Sequence, residues 1–139
     1  MSAFLGFDHL DCRVRTLAAV ESFYDELLPQ IGLTDKRYAK VDANGEWHTV
    51  ADAYNAVEYC EPANGERPRH FIGFIEDPLH RFNETRIAFR VAVAPLETLA
   101  AMVRRAGGAN IELSDDPSYP AVFFEDPAGT KLELISRPA

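Results

Sequence analysis

The chain states the same plan twice. Residues 9–14, HLDCRV, and residues 86–91, RIAFRV, both close on an Arg-Val pair, and each runs into a stretch of helical spacing that stops on glycine. After the first, Leu17, Val20, Phe23, Tyr24, Leu27, Leu28 and Ile31 form one apolar stripe. Thr16 is placed to cap that helix, Pro29 disturbs its last turn and Gly32 ends it. After the second, Leu96, Leu99, Ala100, Val103 and Ala106 repeat the stripe. Pro95 suits the first helical position, and Arg104 and Arg105 complement the helix end before Gly107-Gly108.

Each half then turns to strands. The first offers KRYAKV, EWHTVA and HFIGFIE, with VEYCEP ambiguous, and an exposed turn-rich loop, EPANGERPR. The second offers NIEL, then AVFFE and KLELIS joined by DPAG, a hairpin signal. The spacing predicts a first strand over 7–14, a second-half strand over 85–93 and a linker over 77–85. The whole reads as an α+β fold of two βαβββ modules, about 5–77 and 85–137, in one domain. One module has too few strands to stand alone comfortably. Two side by side form a curved mixed sheet around a central cleft, with helices outside, and the cleft is where function is sought.

Composition narrows the partners. With 22 acidic and 14 basic residues the net charge is −8, which opposes association with nucleic acid. No run reaches the roughly 18 apolar residues that span a bilayer, and MSAFLGFDHL lacks the form of a signal peptide. A cytoplasmic protein with no membrane partner is expected. Cys12 and Cys60 form no CxxC pair; Cys12 reads as a small buried residue, and a disulfide is not required. There is no GxSxG elbow, no GxxxxGK[ST] or GxGxxG loop, and no Cys/His cluster of structural-zinc spacing.

FDHLDCRV followed by SFYDELLPQIGL, RIAFRV followed by MVRRAGG, and the closing AVFFEDPAGTKLELI resemble the vicinal oxygen chelate superfamily, which includes glyoxalase I, bleomycin resistance proteins and extradiol dioxygenases. The resemblance covers nearly the whole chain, and the DP-x-G turn running into x-L-E-L is its most specific part. It implies that the first and last strand of each module lend ligands to a divalent ion, which polarises two neighbouring substrate oxygens.

Carried over residue by residue, that pattern is incomplete. His9 matches the first-strand ligand of the first module, and Glu133, in KLELI, matches the last-strand ligand of the second. Arg86 takes the first-strand place of the second module, and a guanidinium that stays protonated does not coordinate metal. The remaining place falls on Gly73 or Phe74; Glu76 or Glu58 substitutes only if the strand is shifted or exchanged. Two good ligands of four make a poor metal site.

The expectation is therefore a small-molecule-binding protein of the glyoxalase/bleomycin resistance/dioxygenase kind, with no cofactor; Zn, Ni, Fe or Mn enters only if the site is intact. Arg86 either pairs with Glu133 or meets an anionic ligand group. Trp47, His48 and Tyr119 are candidates for an aromatic wall, and His80 is expected at the surface. The alternative is a divalent-metal-dependent lyase, isomerase or dioxygenase. A third reading is a metal-independent isomerase or epimerase with Glu133 as its catalytic base. The resemblance also implies a homodimer.

Overall fold

The computed structural model describes residues 2–138. Its elements run β1 (His9–Val14), α1 (Glu21–Gln30), β2 (Asp35–Val41), β3 (Trp47–Thr49), β4 (Ala56–Cys60), β5 (Phe71–Glu76), β6 (Arg86–Val91), α2 (Leu96–Ala106), β7 (Ala109–Leu113), β8 (Ala121–Glu125) and β9 (Lys131–Ser136). The strands form two mixed sheets, ordered β1-β5-β4-β2-β3 and β6-β9-β8-β7. In each, the first strand lies at an edge, parallel to the last, and the other pairings are antiparallel. This is the α+β plan of two strand–helix–strand modules. The first carries one extra strand, the three-residue β3, hung on β2. By its contacts the chain groups into two units, residues 2–17 with 28–80, and residues 18–27 with 81–138.

In the first unit, the ambiguous VEYCEP is β4, flanked on both sides by partner strands. Both of its faces are covered: Ala56, Val57, Tyr59 and Cys60 are all buried. A strand covered on both sides loses the alternation that identifies a half-exposed strand, which is why the sequence left it ambiguous. β5 reads the same way, with Ile72, Gly73, Phe74 and Ile75 buried. β1 is shorter than predicted. The chain leaving it makes a 3-10 turn over Leu17–Ala19 before α1 begins at Glu21. Thr16 does not cap this start; the Leu17 N–H donates to Glu76 Oε2 at 2.8 Å. A carboxylate from the end of β5 thus does over a long sequence separation what a local hydroxyl was expected to do.

In the second unit, β6 is also trimmed. Beyond it the Ala94 N–H donates to Ser136 Oγ at 2.9 Å, and Pro95 takes the N-cap rather than the first helical position, with φ −58° and ψ 138°. The end of α2 follows expectation. Gly107 turns left-handed at φ 103° and its N–H donates to the Arg104 carbonyl. Gly108 is needed for room, because a Cβ there would stand 2.4 Å from Val103 Cγ1. The DPAG turn is tied down by Asp126, which is 1% exposed. Its Oδ1 accepts from the Ala128 and Thr130 N–H groups, and its Oδ2 accepts the Tyr24 hydroxyl at 2.6 Å. Phe23 meets Phe124 with centroids 6.3 Å apart. Of the stripe read along this stretch, Leu17, Val20, Phe23, Tyr24, Leu27 and Leu28 are buried, Ile31 beyond the helix end is only partly so, and Tyr24 is spent on this turn. No helix among the described residues is long and apolar enough to cross a membrane.

Candidate functional site

Register aligns the two sheets position by position. In the second, Ala88 pairs with Glu133, which pairs with Phe123. In the first, Asp11 pairs with Gly73, which pairs with Glu58. Gly73 therefore stands where Glu133 stands, and His9 where Arg86 stands, each heading its edge strand. Of the two positions the sequence allowed for the missing last-strand ligand, the structure selects Gly73. Cross-strand partners share a face, and residues two apart along a strand return to it.

The face of the second sheet that carries Glu133 also carries Arg86, Ala88, Phe123 and Ile135. Glu133 is buried, 4% exposed, and its Oε1 accepts the Tyr119 hydroxyl at 2.7 Å. That hydrogen bond to a carboxylate raises the Tyr119 pKa above its ordinary value. The expected Arg86–Glu133 pair does not form. Arg86 instead lies over the Phe123 ring, its guanidinium carbon 5.0 Å from the centroid. Arg137 lies at the same distance over the Tyr119 ring. The two rings are themselves near parallel, 11° apart with centroids at 6.4 Å. Among the described residues neither guanidinium has an ion-pair partner, whereas Lys131 on the same face reaches Glu84 and Glu125.

On the corresponding face of the first sheet the charged groups are paired with one another. His9 is partly exposed and stacks on Phe71, rings 3° apart with centroids at 4.4 Å. Its Nδ1 lies 2.6 Å from Asp8 Oδ1 and its Nε2 lies 3.6 Å from Asp11 Oδ2. The Asp8 hydrogen bond raises the His9 pKa, and the charge of Asp11 adds to it. Arg37 pairs with Glu58 at 3.1 Å and rests over Phe71. The space over Gly73 is taken: a Cβ there would stand 2.9 Å from Asp11 Oδ1 and 3.5 Å from Glu58 Cγ. Glu76, the other carboxylate considered for this place, is committed to the Leu17 N–H.

Trp47 and His48 adjoin along β3 and so point to opposite sides of the sheet. Trp47 shares its side with Val41 and Ala39, while His48 turns to Asp42, Nε2 to Oδ2 3.0 Å. Tyr119 sits with Glu133 in the second unit. His80 offers its backbone carbonyl to Arg15 Nε at 2.8 Å. Sequence reasoning missed Phe123 and Arg137. Both lie an even number of residues from an already suspected position, Phe123 from Tyr119 and Arg137 from Glu133, and that parity was the available signal.

The residues at the four positions that the resemblance assigns to metal ligands are His9, Gly73, Arg86 and Glu133, so two side chains of four can coordinate. Within the second unit Glu133 and Glu125 share the sheet face that carries Arg86; Glu133 Oε1 is engaged by Tyr119, and Glu125 is engaged by Lys131. Gly73 has no side chain, and the protonated guanidinium of Arg86 offers no lone pair to a metal. Among the described residues, the group whose ligand atoms all lie within 4.8 Å of one another is elsewhere: Asp42, Glu46 and His48, on the exposed hairpin joining β2 and β3.

No protein-family model and no curated protein sequence matches the chain. Solved structures do. A glyoxalase/bleomycin resistance protein from Albidiferax ferrireducens T118 superposes with a TM-score of 0.61 at 20% identity, over 95% of this chain and 98% of that one. A glyoxylase/bleomycin resistance protein/dioxygenase domain from Frankia sp. EAN1pec gives 0.62 at 16% identity, over 98% and 100%. A variant of the fosfomycin resistance protein FosX from Listeria monocytogenes, complexed with Mn(II) and 1S,2S-dihydroxypropylphosphonic acid, gives 0.59 at 16%, over 96% and 93%. The fold is that of the vicinal oxygen chelate proteins.

Proposed function

We propose that this chain binds a small molecule by an anionic group on the Glu133 face of the second sheet, in the manner of the bleomycin-resistance type of protein, without a metal in the family's usual place. The observation that carries this reading is the pair of guanidiniums, Arg86 and Arg137, each held over an aromatic ring and without an ion-pair partner among the described residues. Arg137 also reaches the Tyr119 hydroxyl, but a guanidinium with five N–H donors and no carboxylate partner keeps donors for a carboxylate, phosphate or phosphonate. The solved FosX structure with a bound phosphonate supports an anionic ligand for this fold.

Thermal-shift screening with small carboxylates and phosphonates tests it through mass-action stabilisation. Arg86→Gln and Arg137→Gln are each expected to weaken the response to hits by about tenfold, the loss of one charge-assisted contact. A response unchanged in both variants overturns the reading.

The metal-dependent lyase, isomerase or dioxygenase is the second reading. It is favoured by the presence of His9 and Glu133 at two of the ligand positions and by the Mn(II) of the FosX structure. Elemental analysis of the purified protein separates the two. Stoichiometric metal that is lost on Glu133→Gln supports the enzyme, and its absence after growth in metal-supplemented medium supports the binding protein. A homodimer that binds neither nucleic acid nor membrane is part of the same proposal, and sedimentation analysis tests its stoichiometry.

A further inference from the structure

Glu133 poses a physical problem that the anion-binding reading leaves open. A carboxylate 4% exposed is expected to hold a cation or several donors. It holds one hydrogen bond, from Tyr119 to Oε1. Oε2 has no partner among the described residues. No fully buried side-chain oxygen or nitrogen there lacks one, so Oε2 is not sealed off completely. Of the cations on that face, Lys131 is engaged by Glu84 and Glu125, and Arg86 is drawn to Phe123, the direct cross-strand neighbour of Glu133. A negative oxygen that is not sealed off and an unpaired guanidinium therefore flank the same ring, and they do not neutralise each other.

The geometry points to a zwitterionic ligand of the amino-acid class, its ammonium on Glu133 Oε2 and its carboxylate on the Arg86 guanidinium. This deepens the anion-binding reading and rests on it. Each half of such a ligand supplies what the protein group lacks. The ammonium gives the buried carboxylate the cation it is without, and the carboxylate gives Arg86 a bidentate partner. A simple acid would satisfy Arg86 and bring a second negative charge toward Glu133, which is unfavourable in a partly dry site. A simple amine would meet Glu133 and face the guanidinium as a like charge. The Phe123 ring and the apolar Ala88 and Ile135 on the same face favour a flat or apolar side chain.

Calorimetric titration of the full chain near neutral pH with three related compounds tests this. The probes are L-phenylalanine, 3-phenylpropionate, which lacks the ammonium, and phenethylamine, which lacks the carboxylate. L-Phenylalanine is expected to bind at least tenfold more tightly than either. Glu133→Gln, which keeps shape and an acceptor for Tyr119, is expected to bring the affinities of L-phenylalanine and 3-phenylpropionate together. If 3-phenylpropionate binds wild-type protein as tightly as L-phenylalanine, the zwitterion proposal is overturned and anion binding stands. If no carboxylate in the series binds, both fall. The comparison on the unmodified chain is decisive even if the variant folds poorly.

Discussion

Gly73 and Glu133 occupy one and the same place in two sheets: each is the residue of the last strand that pairs with the third residue of its edge strand. One position holds a carboxylate fastened to Tyr119; the other holds a glycine, with Asp11 and Glu58 close against it. Both faces carry a guanidinium over an aromatic ring, but on the first Arg37 is paired with Glu58, and on the second Arg86 has no ion-pair partner among the described residues.

A glutamate at position 73 is expected to harm the first unit. Gly73→Glu places a Cβ 2.9 Å from Asp11 Oδ1 and adds a third carboxylate beside Glu58. Overpacking of this kind costs about 1–3 kcal/mol, read as a lower urea midpoint. Adding Asp11→Ala should recover much of the loss. If Gly73→Glu is as stable as the parent, the space over Gly73 is not closed as described.

The Tyr24–Asp126 hydrogen bond locks the DPAG turn. Tyr24→Phe removes the donor from a nearly fully buried carboxylate that the backbone N–H groups of Ala128 and Thr130 continue to hold. The expected cost is about 1.5–3 kcal/mol, the range for a hydrogen bond to a charged group, measured by chemical denaturation. Asp126→Ala, which removes all three bonds, should cost more than Tyr24→Phe.

Acid should release a specific loop contact. Glu61 accepts from Arg67 and from the His70 N–H, and these bonds, that of Arg67 foremost, hold its pKa at about 2 against an ordinary 4.5. A depressed carboxylate pKa means that the unfolded chain takes up the proton first. The contribution of Glu61 is therefore complete above the unfolded value and is lost as pH falls through the window from 4.5 to about 2. Glu61→Gln should flatten the pH dependence of stability in that window, and a carboxyl NMR titration of Glu61 should show its midpoint near the lower end.

His9 should behave with the opposite sign. Its pKa is raised, chiefly by the Asp8 hydrogen bond. Its contribution is present below the unfolded value and is lost as pH rises through the folded one. Imidazole NMR should show a midpoint above that of a free histidine, and Asp8→Asn should lower it. A midpoint that Asp8→Asn leaves in place would assign the shift to Asp11 and Glu58 instead.

Most of the architecture was legible in the sequence because it rests on local rules. The apolar stripes, the Gly107-Gly108 stop and the DPAG hairpin follow from helix and turn geometry within a few residues of chain. The doubled HLDCRV and RIAFRV gave His9 and Arg86 the same position in their respective modules before any coordinates, and the register of β1 and β6 within each sheet agrees. What depends on distant residues was not legible. That Glu76, not Thr16, caps the entry to α1 requires β5 to end beside residue 17. That Tyr24 is spent on Asp126 requires α1 to lie against a turn some hundred residues later.

The same division holds at the site. Sequence alone determined which residue types stand at the inherited positions, because strand alternation and the internal repeat are periodic and need no partner to be read. Tertiary structure decided what those residues do. Whether Arg86 pairs with Glu133 or lies on Phe123, and whether the place of Gly73 is open or filled, are competitions between side chains from different strands. They are settled by separations of a few ångströms that no one-dimensional pattern encodes.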